Sequence, residues 1–238
     1  MIRYTNEFLE AAYEGGWLDA RREAALRGTR PRAIRVFESG VLELMSRAHP
    51  ITPGVWFFPY VIWALATSPA RLGAVSTAAL FGAGVLVFSL FEYGLHRVVF
   101  HGLIHRAMRH RRARFAAFIA HGYHHEYPND PLRLVMPPMI SWPLAALFAL
   151  AYWALLGSAR YAPMLAGTMV GYVAYDWVHY YVHHAKPTFR LGKWLRTYHL
   201  RHHFQDHDAF FGISSPLWDL AFGTYKSPLP VKREALDS

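Results

Sequence analysis

Ten histidines in this chain fall into spacings that suit metal binding. His121, His124 and His125 form an HxxHH run, and His199, His202 and His203 repeat it. On an α-helix, positions i, i+3 and i+4 share one face. His121 with His125, and His199 with His203, can therefore each chelate one ion. The i+3 members, His124 and His202, lie to the side and reach towards a second ion. His96 with His101 and His179 with His183 add two further pairs. The chain has 15 His and no Cys, which excludes disulfides, thiolate zinc sites and iron–sulfur clusters. Imidazole suits zinc, copper, iron and nickel. One structural zinc needs four ligands, and the clusters offer more than twice that. Two ions are expected, one on His96, His101, His121, His125 and His202, the other on His124, His179, His183, His199 and His203. Ligand histidines need partners for their second nitrogens. Asp176, one turn before His179, is the first candidate for that supporting role, followed by Asp219 and Asp206. His184, at i+5 from His179, points off the ligand face and is placed beside the site. His49, His105, His110 and His207 lie off the motif spacing and read as solvent or headgroup contacts.

The elements that position these residues are apolar. Of the 238 residues, 53% are hydrophobic and only 17% charged. Ile51 to Ala70, Leu72 to Phe91, Leu134 to Ala159 and a stretch from Tyr161 through His179 are long and almost free of charge. A spanning helix needs about 20 mostly apolar residues, so four spans are expected, near 51–70, 72–94, 135–157 and 161–183. Short connections, Pro69-Ala70-Arg71 and Gly157-Ser158-Ala159-Arg160, pair them into two hairpins. Pro53, Pro59, Pro137, Pro138 and Pro143 should start or kink the first and third helices. A soluble bundle fits poorly, because soluble helices rarely stay apolar on every face for this length. The expected fold is an all-α integral membrane protein, with a cytosolic helical cap holding a histidine-rich dimetal site. Residues 1–32 read as a polar, Arg-rich cytosolic extension in one or two short helices, and 33–238 as a single membrane domain. Ala33 to Met45 is amphipathic and suits either the membrane surface or a docking helix. No apolar run follows Met1 closely enough for a signal peptide.

Charge orients the chain. Its formal net charge is +9. Arg21, Arg22, Arg27, Arg30 and Arg32 precede the first span. Arg106, Arg109, Arg111, Arg112, Arg114 and Arg133 lie between the second and third. Lys186, Arg190, Lys193, Arg196 and Arg201 follow the fourth, whereas each hairpin turn carries one Arg. The positive-inside rule puts both termini, the middle segment and all four histidine clusters on the cytosolic side. The basic run from Arg109 to Arg114 suits anionic headgroups. No RNA-binding signature accompanies it, so nucleic acid is not an expected partner. Walker, GxGxxG, GxSxG and HExxH motifs are absent. A metal transporter would carry its ionisable ligands near the bilayer midplane, and here they collect at the span ends.

At this level of detail the chain resembles the membrane fatty acid hydroxylase superfamily, most closely the fatty acid 2-hydroxylases. The resemblance rests on Glu92-Tyr93-Gly94-Leu95-His96 through His101, on His121 through His125, and on Arg133-Leu134-Val135-Met136-Pro137-Pro138. It continues in Tyr175-Asp176 with His179, His183 and His184, in Tyr198 through His203, and in Gly212 through Asp219 with Phe222-Gly223-Thr224. It covers about Ile34 to Tyr225. It implies a non-haem di-iron monooxygenase, with O2 as cosubstrate, acting at carbon 2 of a fatty acid or sphingolipid acyl chain. Zinc in a purified sample would keep the geometry without turning over, having no redox chemistry. Eukaryotic members often carry a fused cytochrome b5-like domain, and nothing here resembles one, so a separate cytochrome b5-like or ferredoxin-like electron donor is implied. Tyr123, Tyr175, Tyr180, Tyr181 and Trp218 are candidates to line an acyl slot, against the simpler roles of core packing and interfacial anchoring. Sterol, carotenoid and sphingoid-base oxidation within the superfamily remain the nearest alternatives. The abundance of Ala and Arg points to a bacterial inner membrane.

Overall fold

The computed structural model describes residues 2–14, 32–103 and 110–226. The expectations for Arg21, Arg22, Arg27, Arg30, His105, Arg106 and Arg109 lie outside the described residues. Among those described, regular structure is helical apart from one antiparallel bridge between Tyr4 and Phe37. In chain order the helices are α1 (Asn6–Glu14), α2 (Gly40–Met45), α3 (Thr52–Thr67), α4 (Pro69–Leu72) and α5 (Ala74–Gly94). A π-helical segment, Leu95–Leu103, follows α5. Then come α6 (Arg111–Ala117), a second π-helical segment (Phe118–Gly122) and α7 (Tyr123–Glu126). The last four are α8 (Pro138–Leu156), α9 (Tyr161–His184), α10 (Arg190–Phe204) and α11 (Leu217–Ala221).

Four long helices, α3, α5, α8 and α9, occupy the apolar stretches. Proline sits in the first turns of α3 and α8, where its missing N–H costs nothing, while Pro59 and Pro143 lie inside those helices. Gly73 and Gly157, both at φ 78°, make the hairpin turns. Ala74–Gly102 and Pro138–Leu156 are long and apolar enough to cross a membrane, and few of their side chains are buried by the rest of the protein. Leu147, Leu150, Trp153 and Leu155 of α8 all project outward. An apolar surface of that size needs an apolar solvent. The other two helices differ: α3 has only 16 residues, and α9 is the central, mostly buried one.

The core forms where α9 lies against α3 and α5. Phe57, Val61, Phe88, Leu165, Met169, Tyr172 and Val173 are buried there. The α5–α9 approach is set by glycine. A Cβ on Gly84 would strike the Met164 carbonyl, and one on Gly167 the Phe81 carbonyl. Gly171, one turn after Gly167, lies against Phe88. Thr168 closes the contact, donating to the Gly84 carbonyl at 3.2 Å and pairing with the Tyr152 hydroxyl of α8 at 2.9 Å. This close packing aligns the end of α5, which runs on into the π-helical segment bearing His96, with the end of α9 bearing His179 and His183.

The N-terminal segment packs onto the middle of the chain. Phe8 and Ala12 of α1, with Ile34 and Val36, are buried against Ala117, Phe118 and Tyr123. Of the stretch Ala33 to Met45, read as one amphipathic element, only Gly40–Met45 is helical, and its buried residue is Glu43. Residues 32–36 lack regular structure because Glu43 accepts the backbone N–H groups of Val36 and Phe37, both at 3.0 Å. Val41, Leu44 and Met45 of α2 remain exposed.

Candidate metal centre

Five elements converge on the site. His96 and His101 stand five residues apart, a spacing that an α-helix would splay. In the π-helical segment the i→i+5 hydrogen bonding brings them to one face, edge to face with ring centroids 5.0 Å apart. The second π-helical segment carries His121, and α7 carries His124 and His125. α9 supplies His179 and His183, and α10 supplies His199, His202 and His203.

The ten rings form two groups. His96, His101, His121, His125 and His202 make one, and His124, His179, His183, His199 and His203 the other. Within each group the nearest ring nitrogens lie within 4.8 Å of one another, and every member is buried. In the first group, His121 Nε2 lies 3.1 Å from that of His96 and 2.9 Å from that of His125, and His202 Nε2 lies 3.1 Å from His101 Nε2. In the second, His124 Nε2 is 3.0 Å from both His179 and His203, and His199 Nε2 is 2.8 Å from His183 and 3.1 Å from His203.

Tautomers decide what these contacts mean. His96 Nδ1 faces the Phe211 carbonyl at 2.6 Å and His202 Nδ1 faces the Ala209 carbonyl at 2.8 Å. A carbonyl only accepts, so each Nδ1 carries the hydrogen and each Nε2 presents a lone pair to the group. Clustered lone pairs repel unless a cation lies between them. Nitrogens bound at about 2.1 Å at right angles to one another stand about 3 Å apart, which is the spacing seen. The donor set therefore fits two imidazole-ligated ions.

A buried strap holds the orienting carbonyls. Asp219 accepts from Phe211 N (2.9 Å), Gly212 N (2.7 Å), Tyr198 Oη (2.5 Å) and Thr224 Oγ1 (2.7 Å). Glu92, at the end of α5, accepts from Ile213 N (2.8 Å), Ser214 N (3.1 Å) and Ser214 Oγ (2.8 Å). Gly212 cannot carry a side chain, because a Cβ there would collide with the Ser215 carbonyl. Asp219 thus supports His96 and His202 through the strap, not by touching a ring. Glu92 was not anticipated as a site residue; a carboxylate ending an apolar stretch is costly to bury and was the available signal.

Other expected residues distribute unevenly. Tyr123, Tyr175 and Asp176 line a cavity of about 460 Å³ that also touches His121, His124 and His179. Asp176 is wholly buried beside Tyr172 and the Met136 backbone, and no hydrogen bond joins it to a histidine ring. Tyr180, Tyr181 and Trp218 lie away from this cavity. Tyr180 stacks on His184 at 4.4 Å, Tyr181 stacks on Phe189, and the Trp218 indole donates to Ser89 Oγ at 3.0 Å. Asp206 pairs with Lys226 at 2.5 Å. His110 is exposed, as its spacing suggested. His207 is not a surface residue: it is buried, with its ring 5.0 Å from His125 and 5.9 Å from His202. Its place comes from the turn after α10, which no helical spacing reveals.

Burial, reinforced by neighbouring rings, drives His121, His125, His199, His202 and His203 far below the ordinary imidazole value, and His124 to about 3. All are neutral and ready to ligate near pH 7. Below about pH 6.5 the unfolded chain takes up protons that the folded chain refuses. The stability these rings contribute is therefore complete above that value and falls as the solution is acidified. For metal-free protein in detergent, the melting temperature should drop steadily from pH 7 to pH 5. The unfolding free energy should fall by more than the ~1.4 kcal/mol per pH unit that a single proton gives. A flat profile across that range would contradict the assignment of neutral buried rings.

Residues 81–224 match the fatty acid hydroxylase family profile. The chain is 37% identical over 187 residues to dihydroceramide fatty acyl 2-hydroxylase FAH1 of Arabidopsis thaliana, covering 76% of this chain and 75% of that protein. It is 38% identical to the ceramide very long chain fatty acid hydroxylase SCS7 of Saccharomyces cerevisiae, covering 75% of this chain and 46% of the yeast protein. It is 32% identical to human fatty acid 2-hydroxylase, covering 84% of this chain and 58% of the human one. Among solved structures it superposes on full-length Scs7p, in which only the hydroxylase domain is visible. The TM-score is 0.75 at 34% identity, covering 81% of this chain and 72% of that one. With the profile spanning both histidine groups and the strap that orients them, this chain belongs to the fatty acid hydroxylase family.

Proposed function

We propose that this protein inserts one oxygen atom from O2 at carbon 2 of a membrane lipid's acyl chain, with two iron ions held by the two histidine groups. The observation that carries this reading is the cavity, whose wall includes His121 from one group and His124 and His179 from the other. Its remaining wall is largely apolar, with Phe88, Phe91 and Leu144 extending from the histidines along α5 and α8. An acyl chain in that space places one end against both groups. The iron ions supply O2 activation and removal of hydrogen from an unactivated C–H bond, which side chains cannot do. The chain's own part is to hold the substrate in register and keep water away from the reacting carbon. Overall, the C–H carbon gains oxygen from O2, two electrons and two protons are consumed, and water leaves. The electrons come from a separate cytochrome b5-like or ferredoxin-like donor. The four long helices cross the membrane as two hairpins, with the site and both termini on the cytosolic side of a bacterial inner membrane.

The relatives' names support an acyl substrate in ceramide or dihydroceramide linkage. The test is mass spectrometry of lipids from cells expressing the chain under 18O2. A labelled oxygen at carbon 2, located by fragmentation and absent from cells without the chain, is the expected result. Oxygen at another carbon, or on a sterol or carotenoid, would discard the substrate assignment and keep the metal centre.

A further inference from the structure

The strap that orients His96 and His202 carries an outer surface that this role does not use. From Ala209 to Tyr225 the chain holds one charged residue, Asp219, and it is wholly buried. Leu217, Leu220 and Phe222 project outward, 46%, 62% and 51% exposed. Charge returns at the neck of the loop, where Lys226 pairs with Asp206 at 2.5 Å and Phe210 N donates to the Thr224 carbonyl at 3.2 Å. An apolar tip above a charged neck is the reverse of a water-facing loop.

The loop leans on the outer face of α5. The Trp218 indole donates to Ser89 Oγ at 3.0 Å, and Phe222 stacks on Tyr93 with ring centroids 5.4 Å apart. Ser89 precedes His96 by seven residues, about 10 Å back along the helix from the metal centre. It lies inside Ala74–Gly102, the stretch long and apolar enough to cross a membrane. Leu86 and Leu90, on the turns beside Ser89, are exposed as well. The outward face of α11 therefore continues that of α5.

The backbone of the strap is also satisfied from within. Irregular chain next to hydrocarbon has no water to bond its polar groups. Asp219 takes the N–H groups of Phe211 and Gly212, Glu92 those of Ile213 and Ser214, and Ser215 Oγ that of Leu217. The Asp219 carbonyl accepts from Thr224 N at 2.8 Å and from Tyr225 N at 3.1 Å. Pro216 has no N–H to satisfy.

We propose that residues 209–225 re-enter the bilayer beside α5, with Leu217, Leu220 and Phe222 among the acyl chains of the site-side leaflet and the Lys226–Asp206 pair at its surface. This placement rests on α5 crossing the membrane. The occupant of the face is lipid, because the patch is continuous with the outward face of that helix. The membrane then takes part in holding the strap, and through it the orientation of His96 and His202.

The experiment uses the unaltered full-length chain in phosphatidylcholine vesicles doped with a phosphatidylcholine that carries a diazirine part-way along one acyl chain. After irradiation, trypsin releases residues 134–160, which contain α8, and residues 202–226, which contain the strap. Lipid adducts are expected on both peptides, and on the second they should fall between Leu217 and Phe222. Labelled α8 with an unlabelled strap overturns the inference. Failure to label α8 sinks the membrane reading itself. A second measurement exploits the absence of Cys. Bimane on Leu220→Cys should be quenched by spin-labelled lipid and shielded from iodide, and bimane on Asp208→Cys, at an exposed position of the neck, should show the opposite. Iodide reaching both positions alike overturns the inference. So does a Leu220→Cys label shielded from both quenchers, which would show that protein covers this face, a second copy of the chain included.

Discussion

His202→Ala protein should fold, carry about half the metal of the unaltered protein, and form no measurable product. His202 is fully buried. It occupies the centre of the first group, with ring centroids 4.4 Å from His96 and 4.7 Å from His101. Its Nδ1–H is spent on the Ala209 carbonyl, so its only other function is the lone pair on Nε2. Alanine leaves four nitrogens and a hole where the fifth stood. Affinity for the first ion should fall far enough for it to be lost in purification, while the second group keeps all five of its members. The loss of rate should exceed 10³-fold, roughly 4 kcal/mol in the barrier, because chemistry that uses both ions fails with either one missing. Elemental analysis gives the metal content, circular dichroism the fold, and lipid mass spectrometry the product. His110→Ala, at an exposed ring, is the matched control. Two ions per chain and retained activity in His202→Ala would sink the division of the histidines into these groups.

The second large effect is expected at Asp219, which touches no histidine. Its carboxylate is the common acceptor for Tyr198, Thr224 and the backbone of Phe211 and Gly212. Asp219→Ala leaves four buried donors unpaired at ~1–3 kcal/mol each. Partial relaxation makes a total near 4 kcal/mol reasonable, a large fraction of the ~5–15 kcal/mol that folds a typical domain. The loss should not be uniform. The strap carrying the Ala209 and Phe211 carbonyls loosens first, so His96 and His202 lose their orientation and the first ion is released before the second. Asp219→Asn should fall between, since the amide keeps one acceptor oxygen but turns an NH2 towards donors. Melting temperature and metal content, read together, test this. An Asp219→Ala protein with both unchanged would show the strap to be dispensable.

The contrast between these two residues shows what the sequence can express. His202 is legible because its role is local: HxxHH places it by helical geometry alone. Asp219 was expected near the site, but its mode of action was not readable, because its partners Phe211 and Gly212 meet it through an irregular turn. His96 and His101 show another limit. Their separation of five fits no α-helical face, and the π-helical bonding of Leu95–Leu103 brings them to one side. His207 and Glu92 were missed because their positions depend on a loop and on a contact spanning 121 residues, from Glu92 to Ile213. The cavity is legible only in part: Tyr123 and Tyr175 line it as their expected role requires, but the rest of its wall is not local. Phe8, Val36 and Phe37 form part of its wall from a segment remote in sequence from the histidines. The long helices were the easiest to place, since apolar length is a property of a continuous stretch.

The strap also bears on how the protein is made. The first histidine group draws one ring from α10 and depends on the carbonyls of Ala209 and Phe211, in a strap whose Phe211, Gly212, Ile213 and Ser214 N–H groups are held by Asp219 and Glu92. During synthesis the ribosome delivers His96, His101, His121 and His125 long before any of the strap. Until residue 219 has emerged, the nascent chain offers an ion only a partial, unoriented set of imidazoles. Completion of the first group is thereby deferred to the end of translation, and a metal ion captured earlier exchanges freely instead of being locked into an incomplete chain.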